Sequence, residues 1–228
     1  MARSAATKPD GYEWPDSGKP GRDCPRCPRL VAYRHDCRLK RPDWFNAPVP
    51  SFGSADARLL IVGLAPGVQG ANRTGRPFTG DFAGDLLYET LSKYGFANGK
   101  FDARINDGLA LIDCRITNAV RCVPPENKPT PAEINTCRDF LKDTIAEMAN
   151  LRAIVALGAV AHATVLTAFS AKKSAHPFKH GGHYKLGSTE LFSSYHCSRY
   201  NTNTGVLTPE MFRAVFKAVR GYLDSGRL

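Results

Sequence analysis

An apolar run, Leu59-Leu60-Ile61-Val62, followed at once by a glycine-rich stretch and then by a helical pattern, constrains this chain more than any other feature. Four consecutive aliphatic residues read as a buried strand. From about Phe82 onward, Leu86, Leu87 and Leu91 fall on one side of a helix. Between strand and helix lie five glycines (Gly63, Gly67, Gly70, Gly75 and Gly80), two prolines, two arginines (Arg73 and Arg76) and one carboxylate, Asp81. Such a crossover leaves backbone N–H groups free at the carboxyl end of a strand, where open α/β sheets hold their ligands. Connections this long, with so many special residues, are usually functional.

The pattern repeats downstream. Residues 111–120, 152–158 and 191–195 read as three more strands, and residues 159–169 as a helix. Thr130-Pro131-Ala132-Glu133 is a helix start, with Thr as N-cap, Pro at the first helical position and Glu three residues after the cap. Ile134, Phe140, Leu141 and Ile145 form the apolar face of that helix. Thr208-Pro209-Glu210 opens the last helix, striped by Phe212, Val215, Phe216, Val219 and Leu223. Strands alternating with helices predict a single α/β domain with a central, mainly parallel four-stranded sheet and helices on both faces. That domain is expected over residues 23–228. Residues 1–22 are polar, rich in Gly and Pro and without periodicity, and read as a disordered or loosely attached tail that Tyr12 and Trp14 could pin locally.

No apolar run approaches the roughly 20 residues of a membrane span, and the N-terminus lacks the apolar core of a signal peptide. A cytoplasmic protein is expected, with its seven cysteines as thiols or metal ligands and not disulfides. Thirty-one Lys and Arg against 21 Asp and Glu give a net charge of +10, which favours an acidic partner, nucleic acid before an anionic membrane.

Cys24 and Cys27 form a CxxC pair that precedes any strand, which argues against a thioredoxin-like redox pair. Cys122 follows the second strand, and Cys137 comes after fourteen intervening residues, about two turns into the Thr130 helix. Four cysteines from a terminus, a strand end and a helix can converge on one thiolate site. Zinc and [4Fe–4S] both accept that set, and spacing does not separate them. Cys37, Cys114 and Cys197 read as buried small apolar residues, and His162 as packed or exposed, not catalytic. Residues 172–184 form a basic loop with three histidines whose lysines would repel a cation, so phosphate or DNA contact is expected there before metal. The last strand ends in a second polar loop, HCSRYNTNTG, with His196 at its lip.

Taken together, NRTGRPFTGD after the first strand, NAVRCVPPENKPTP after the second, KSAHPFKHGGHY, SYHCSRYNTNTGVLT and the four cysteines resemble the uracil-DNA glycosylase superfamily. In detail they resemble its family 5, the type b iron–sulfur enzymes. The similarity runs from Cys24 to the final helix. It implies that Cys24, Cys27, Cys122 and Cys137 hold a structural [4Fe–4S] cluster, and that uracil-containing DNA is the partner of a monomer. Related glycosylases carry an Asp or Glu at the positions of Leu64 or Ala65. Both are apolar here, so the carboxylate that positions water resembles Asp81 instead.

The chemistry needed is the cleavage of a bond between deoxyribose C1′ and a base nitrogen, in which the sugar becomes oxocarbenium-like and the base leaves as an anion. A carboxylate near C1′, Asp81, suits the first charge; a hydrogen bond from His196 to the base O2 suits the second. Gly63, Leu64, Ala65 and Gly67 are expected to line the base pocket, with backbone N–H groups near Gly67 assisting and Phe78 offering a stacking face. Two asparagines compete to read the uracil edge, Asn118 and Asn127, with Asn127 preferred. Arg73, Lys128, Lys179, Ser198, Arg199 and Asn201 are the expected DNA contacts. Asp81 also has a plainer reading as the N-cap of the helix it precedes. Gln69 and Cys197 depart from the type b pattern, both expected at the pocket rim, which bears on substrate range; hypoxanthine is the first further base to test. The competing readings are an iron–sulfur protein that binds DNA damage without hydrolysis, a covalent trapper of abasic sugars, and an electron carrier.

Overall fold

The structure, a computed structural model, describes residues 19–226. In chain order it runs α1 (Pro28–Lys40), β1 (Leu59–Gly63), α2 (Ala71–Thr74), α3 (Phe82–Lys93), a ribbon of β2 (Ala97–Asn98) and β3 (Ala110–Leu111), then β4 (Cys114–Asn118) and α4 (Pro131–Glu147). It continues with β5 (Ala153–Leu157), α5 (Ala159–Ala168), β6 (His183–Leu186), β7 (Thr189–Ser194), α6 (Arg199–Asn203) and α7 (Pro209–Ser225). Most of the expected tail, with Tyr12 and Trp14, lies outside the described residues. Its last residues are packed, since Pro20 is buried and the Arg22 carbonyl accepts from Arg38.

The main sheet has the order β4-β1-β5-β7-β6. Its first four members are mutually parallel, and β6 runs antiparallel to β7 with His183 opposite Phe192 and Leu186 opposite Thr189. The sheet thus has five strands where the sequence predicts four. The extra one, His-Tyr-Lys-Leu, is a half-exposed edge strand, so it lacks the apolar run that marks a buried one. The expected strand 111–120 also divides. Leu111 belongs to the ribbon, Asp113 takes a left-handed φ of 53°, and β4 starts at Cys114.

Alternation along the central strands sends side chains to two cores. Leu59, Ile61, Val155 and Leu157 pack with α3 and α7 on one face. Leu60, Val62, Ile154 and Ala156 pack with Leu141 of α4 and Val165 of α5 on the other. The predicted caps form: Thr130 and Glu133 make a reciprocal capping box, and the Thr208 hydroxyl accepts from the Met211 N–H. α1 was not evident from the sequence. Its inward face is Leu30, Arg34 and Cys37, and a buried arginine hides the apolar period.

Packing is tightest where the glycine-rich crossover turns into α3. Phe78 holds a left-handed φ of 54°, a strained value for an aromatic residue. The Tyr88 hydroxyl donates to the Pro77 carbonyl at 2.7 Å, and Arg76 donates to Thr79 while pairing with buried Asp107, so both flanks of the turn are fixed. A methyl on Gly84 would lie 1.9 Å from the Phe78 carbonyl oxygen, a backbone atom that cannot swing aside. Gly84→Ala is therefore expected to destabilise the fold by about 1–3 kcal/mol, the range for overpacking, read as a lower denaturation midpoint at unchanged m-value.

Candidate active site

Three loops meet at the carboxyl edge of the parallel strands: the crossover after β1, the turn after β4 and the loop after β7. They enclose a cleft of about 670 Å³. Ten of the expected residues line it, namely Leu64, Ala65, Gly67, Phe78, Asp81, Asn118, Asn127, His196, Ser198 and Arg199. Gly70, Phe82 and Ala83 line it as well and were not singled out as contacts; the glycine-rich composition marked their stretch without marking them. Gly63 lies just beneath, where a methyl would strike the Asn118 carboxamide oxygen at 2.5 Å and the Phe78 ring at 2.6 Å. Only glycine lets floor and wall approach this closely.

Asp81 is both cap and cleft residue. Its Oδ1 accepts from the Gly84 N–H at 3.1 Å, making it the N-cap of α3. Its Oδ2 sits over the glycine backbone, where a methyl on Gly70 would come within 2.7 Å and one on Gly67 within 3.4 Å. Burial pushes the carboxyl above its ordinary pKa and the neighbouring Asp85 charge adds to this, while the Gly84 and Ala83 N–H groups oppose it. The result is a carboxylate with one oxygen anchored and the other available, more basic than one in water. Gly70→Ala would also meet the Thr79 carbonyl at 3.2 Å, so the crossover rather than the methyl must move. Displacing Oδ2 by about 1 Å is expected to lower turnover about 10²-fold, with little change in melting temperature.

His196 leaves the end of β7, and the Asn201 amide donates to its carbonyl at 2.8 Å. Asn201, an expected DNA contact, thus also clamps the loop. Neither imidazole nitrogen has a hydrogen-bond partner among the described residues. Burial lowers the His196 pKa to about 4, so the ring is neutral at physiological pH, with one N–H donor and one acceptor. Its ring lies 5.9 Å from that of Phe78 at an interplanar angle of 26°. A base between two rings needs roughly 7 Å, twice the 3.4 Å spacing of stacked bases, so the rings form one wall and a base lies against it. Cys197 is fully buried, with Sγ 3.5 Å from the Ala83 carbonyl, which matches its reading as a buried small residue and not its expected place at the rim. It ties the His196 loop to the helix that Asp81 caps. Gln69 does lie exposed at the rim.

Asn118 ends β4 at the cleft floor and is buried, whereas Asn127 is exposed on the rim, in a turn where it and Glu126 both have left-handed φ values (57° and 54°). Neither carboxamide has a hydrogen-bond partner among the described residues, so both are available to a ligand. Of the expected DNA contacts, Arg199 stacks over Phe82 at 5.6 Å and Ser198 caps α6. Arg73 and Lys179 are exposed but do not line the cleft, and Lys128 faces Glu126 at 3.5 Å. The three loop histidines diverge. His176 bonds the Lys172 carbonyl, His180 accepts from the Tyr195 N–H, and His183 meets Glu190. His162 is packed as expected, bridging Ser193 and the His176 carbonyl.

On the far side of β4, Cys24, Cys27, Cys122 and Cys137 line one enclosed cavity with Leu30, Val120 and Phe140. Burial, and then neighbouring thiols among which Cys137 comes first, raise Cys27 to about 11. Burial raises Cys122 to about 12, against the nearby Arg34 charge, which lowers it. A cationic centre would reverse this and hold them as thiolates. Cys137 Sγ already accepts the Arg121 backbone N–H at 3.3 Å. Among the described residues no group of three or more His, Cys, Asp or Glu is gathered around a single ion. The other three cysteines are buried.

Comparison with known proteins agrees with this geometry. The family described as "Uracil DNA glycosylase superfamily" matches residues 50–220, which leaves Cys24 and Cys27 outside the match. A type-5 uracil-DNA glycosylase of Thermus thermophilus is 47% identical over 199 residues, covering 84% of this chain and 90% of the relative. One from Pyrobaculum aerophilum is 40% identical over 210 residues, covering 90% and 91%. A type-4 uracil-DNA glycosylase of that organism is 34% identical over 140 residues, covering 61% of this chain and 57% of the relative.

Proposed function

The chain belongs to the uracil-DNA glycosylase superfamily, among its type-5 members, and on that premise we propose that it hydrolyses the N-glycosidic bond of uracil in DNA, leaving an abasic site. The observation that carries this reading is one cleft lined by both an available carboxylate oxygen, on Asp81, and a neutral, unpartnered imidazole, on His196. As the C1′–N1 bond breaks, its electron pair leaves with the base. Water bonds C1′, and its proton passes to Asp81, which has meanwhile offset the positive charge on the sugar. The His196 N–H donates to O2 of the departing base, as an oxyanion donor does. The base must first leave the stack. The Phe78–His196 wall gives it a face to lie on, and Asn118, unpartnered at the floor, suits donation to O4 and acceptance from N3–H. Asn127 on the rim is then the second contact. Arg73, Lys128, Lys179 and Arg199 hold flanking phosphates, with the protein acting as a monomer.

Cys24, Cys27, Cys122 and Cys137 hold a [4Fe–4S] cluster, which supplies a covalent staple between α1, the end of β4 and α4 and takes no part in hydrolysis. An all-thiol set lining one cavity supports a thiolate-held centre, and the resemblance to the type b iron–sulfur enzymes favours the cluster over zinc. The apolar Leu64 and Ala65 and a cleft of about 670 Å³ support admission of hypoxanthine as a second base. No inserted loop follows Asp81, because α3 starts at the next residue, which disfavours the covalent trapper.

The test uses purified protein and duplexes holding a single uracil, hypoxanthine, adenine or thymine. Release of uracil and hypoxanthine, seen as alkali-labile abasic sites, with none from adenine or thymine, is the expected result. Tight binding of the uracil duplex without release supports the damage-binding alternative and ends the enzymatic reading. Uracil release with no hypoxanthine release ends only the broader range.

A further inference from the structure

Arg34 stands out among the arginines that crowd the N-terminal segment. Arg26, Arg29 and Arg38 each meet a carboxylate, on Asp139 at 3.2 Å, Glu133 at 2.7 Å and Asp23 at 2.6 Å. Arg34 meets none within ion-pair distance among the described residues, although it is 1% exposed and the largest fully buried side chain described. Asp23 lies near enough to feel its charge but bonds Arg38. The Arg34 guanidinium lines the four-cysteine cavity, donating from one terminal nitrogen to Cys122 Sγ at 3.4 Å and from the other to the Cys24 carbonyl at 3.0 Å. Its Nε is buried with no hydrogen-bond partner among the described residues.

A guanidinium stays charged at any ordinary pH, and a buried cation without a counter-charge is strongly unfavourable. Among the described residues none ion-pairs with it, and Asp23, engaged by Arg38, acts only at a distance, which leaves the cavity's occupant to supply the close counter-charge. A [4Fe–4S] cluster with four thiolate ligands is anionic as a whole, and its sulfur atoms accept hydrogen bonds that tune it. We propose that Arg34 is the interior counter-cation of that cluster, a positioning residue that holds Cys122 and the Cys24 backbone in ligating geometry and raises the cluster's reduction potential through its charge. The inference rests on the cluster assigned above. It also accounts for the placement of α1, whose buried face is built around this one charged side chain.

The experiment compares full-length parent, Arg34→Met and Arg34→Lys, all purified without oxygen. Iron per chain, resistance to a ferrous chelator and the cluster midpoint potential are measured. Arg34→Met is expected to surrender its iron at about 10- to 100-fold lower chelator concentration, the usual effect of removing a ligand's outer partner, and to shift the potential negative. Arg34→Lys, which keeps the charge, is expected to return the potential towards the parent value. Parent-like resistance and potential in Arg34→Met overturn the assignment, as does an Arg34→Lys potential no closer to the parent than that of Arg34→Met. If Arg34→Met does not fold, Arg34→Lys decides: iron-loaded with a parent-like potential supports the role, and folded without iron overturns it. A parent without iron fails earlier and refutes the cluster itself, so the two failures are distinct.

Discussion

Asp81→Asn is expected to lower uracil release by about 10²- to 10⁴-fold, the usual contribution of a positioned general base, without loosening the fold. Asparagine caps a helix as well as aspartate does, so the bond to the Gly84 N–H survives. The sign of the stability change follows from burial. The folded-state pKa of Asp81 lies above its unfolded value, so the stability this group contributes is complete below the unfolded pKa and is lost as pH rises through the folded one. At neutral pH the ionised carboxylate is therefore a burden on the native state, and the asparagine variant melts at an equal or higher temperature. Its advantage disappears in acid, where both side chains are neutral. Activity of the parent follows the opposite course: it needs the ionised form, so its acid limb lies above the ordinary carboxylate value of 3.8. A variant that is inactive and also less stable would mean that Asp81 only caps the helix.

His196→Ala is expected to lower the rate by about 10²- to 10³-fold, as loss of one oxyanion donor does. The imidazole is neutral down to about pH 4, so the parent should show no rate change near pH 6.5 from this residue. A rate rising with protonation around that value would make His196 an acid and contradict the assignment. The backbone of its loop does not depend on the ring, since Asn201 grips the His196 carbonyl and Cys197 anchors the next residue against Ala83. A modest loss of melting temperature with a large loss of rate is the signature sought. Single-turnover measurement separates this from product release.

Much of the fold was legible because a few residues are unambiguous. The run 59–62 read as a buried strand and Thr130-Pro131-Ala132-Glu133 as a helix start, and both form. What escaped was whatever broke the rule that charge lies outside. α1 turns Arg34 inward, and β6 is an edge strand built from His183, Tyr184 and Lys185, whose composition reads as a loop. The site was legible to the extent that strand ends and glycines mark it. Asp81 and His196 stand in polar loops at strand ends, the family resemblance supplied their roles and that of Phe78, and the cleft brings the three together. Depth was not legible. Asn118 and Asn127 have the same chemistry, and only the fold puts one at the floor and the other on the rim. Cys197 carried two readings, a buried small residue and a departure from the family pattern at the rim, and the chain turns it inward, beneath the loop. Asn201 read as a phosphate contact because its loop is polar, yet its amide closes that loop on itself.

The account stands or falls on where the extruded nucleotide lies. The direct measurement is a structure of the Asp81→Asn variant bound to a duplex containing one uracil. The account predicts the uridine flipped out of the stack, its base against the Phe78–His196 wall, O2 within about 3 Å of an imidazole nitrogen and C1′ facing residue 81. A uracil still stacked in the duplex, or flipped into a different hollow with His196 remote from O2, would contradict it.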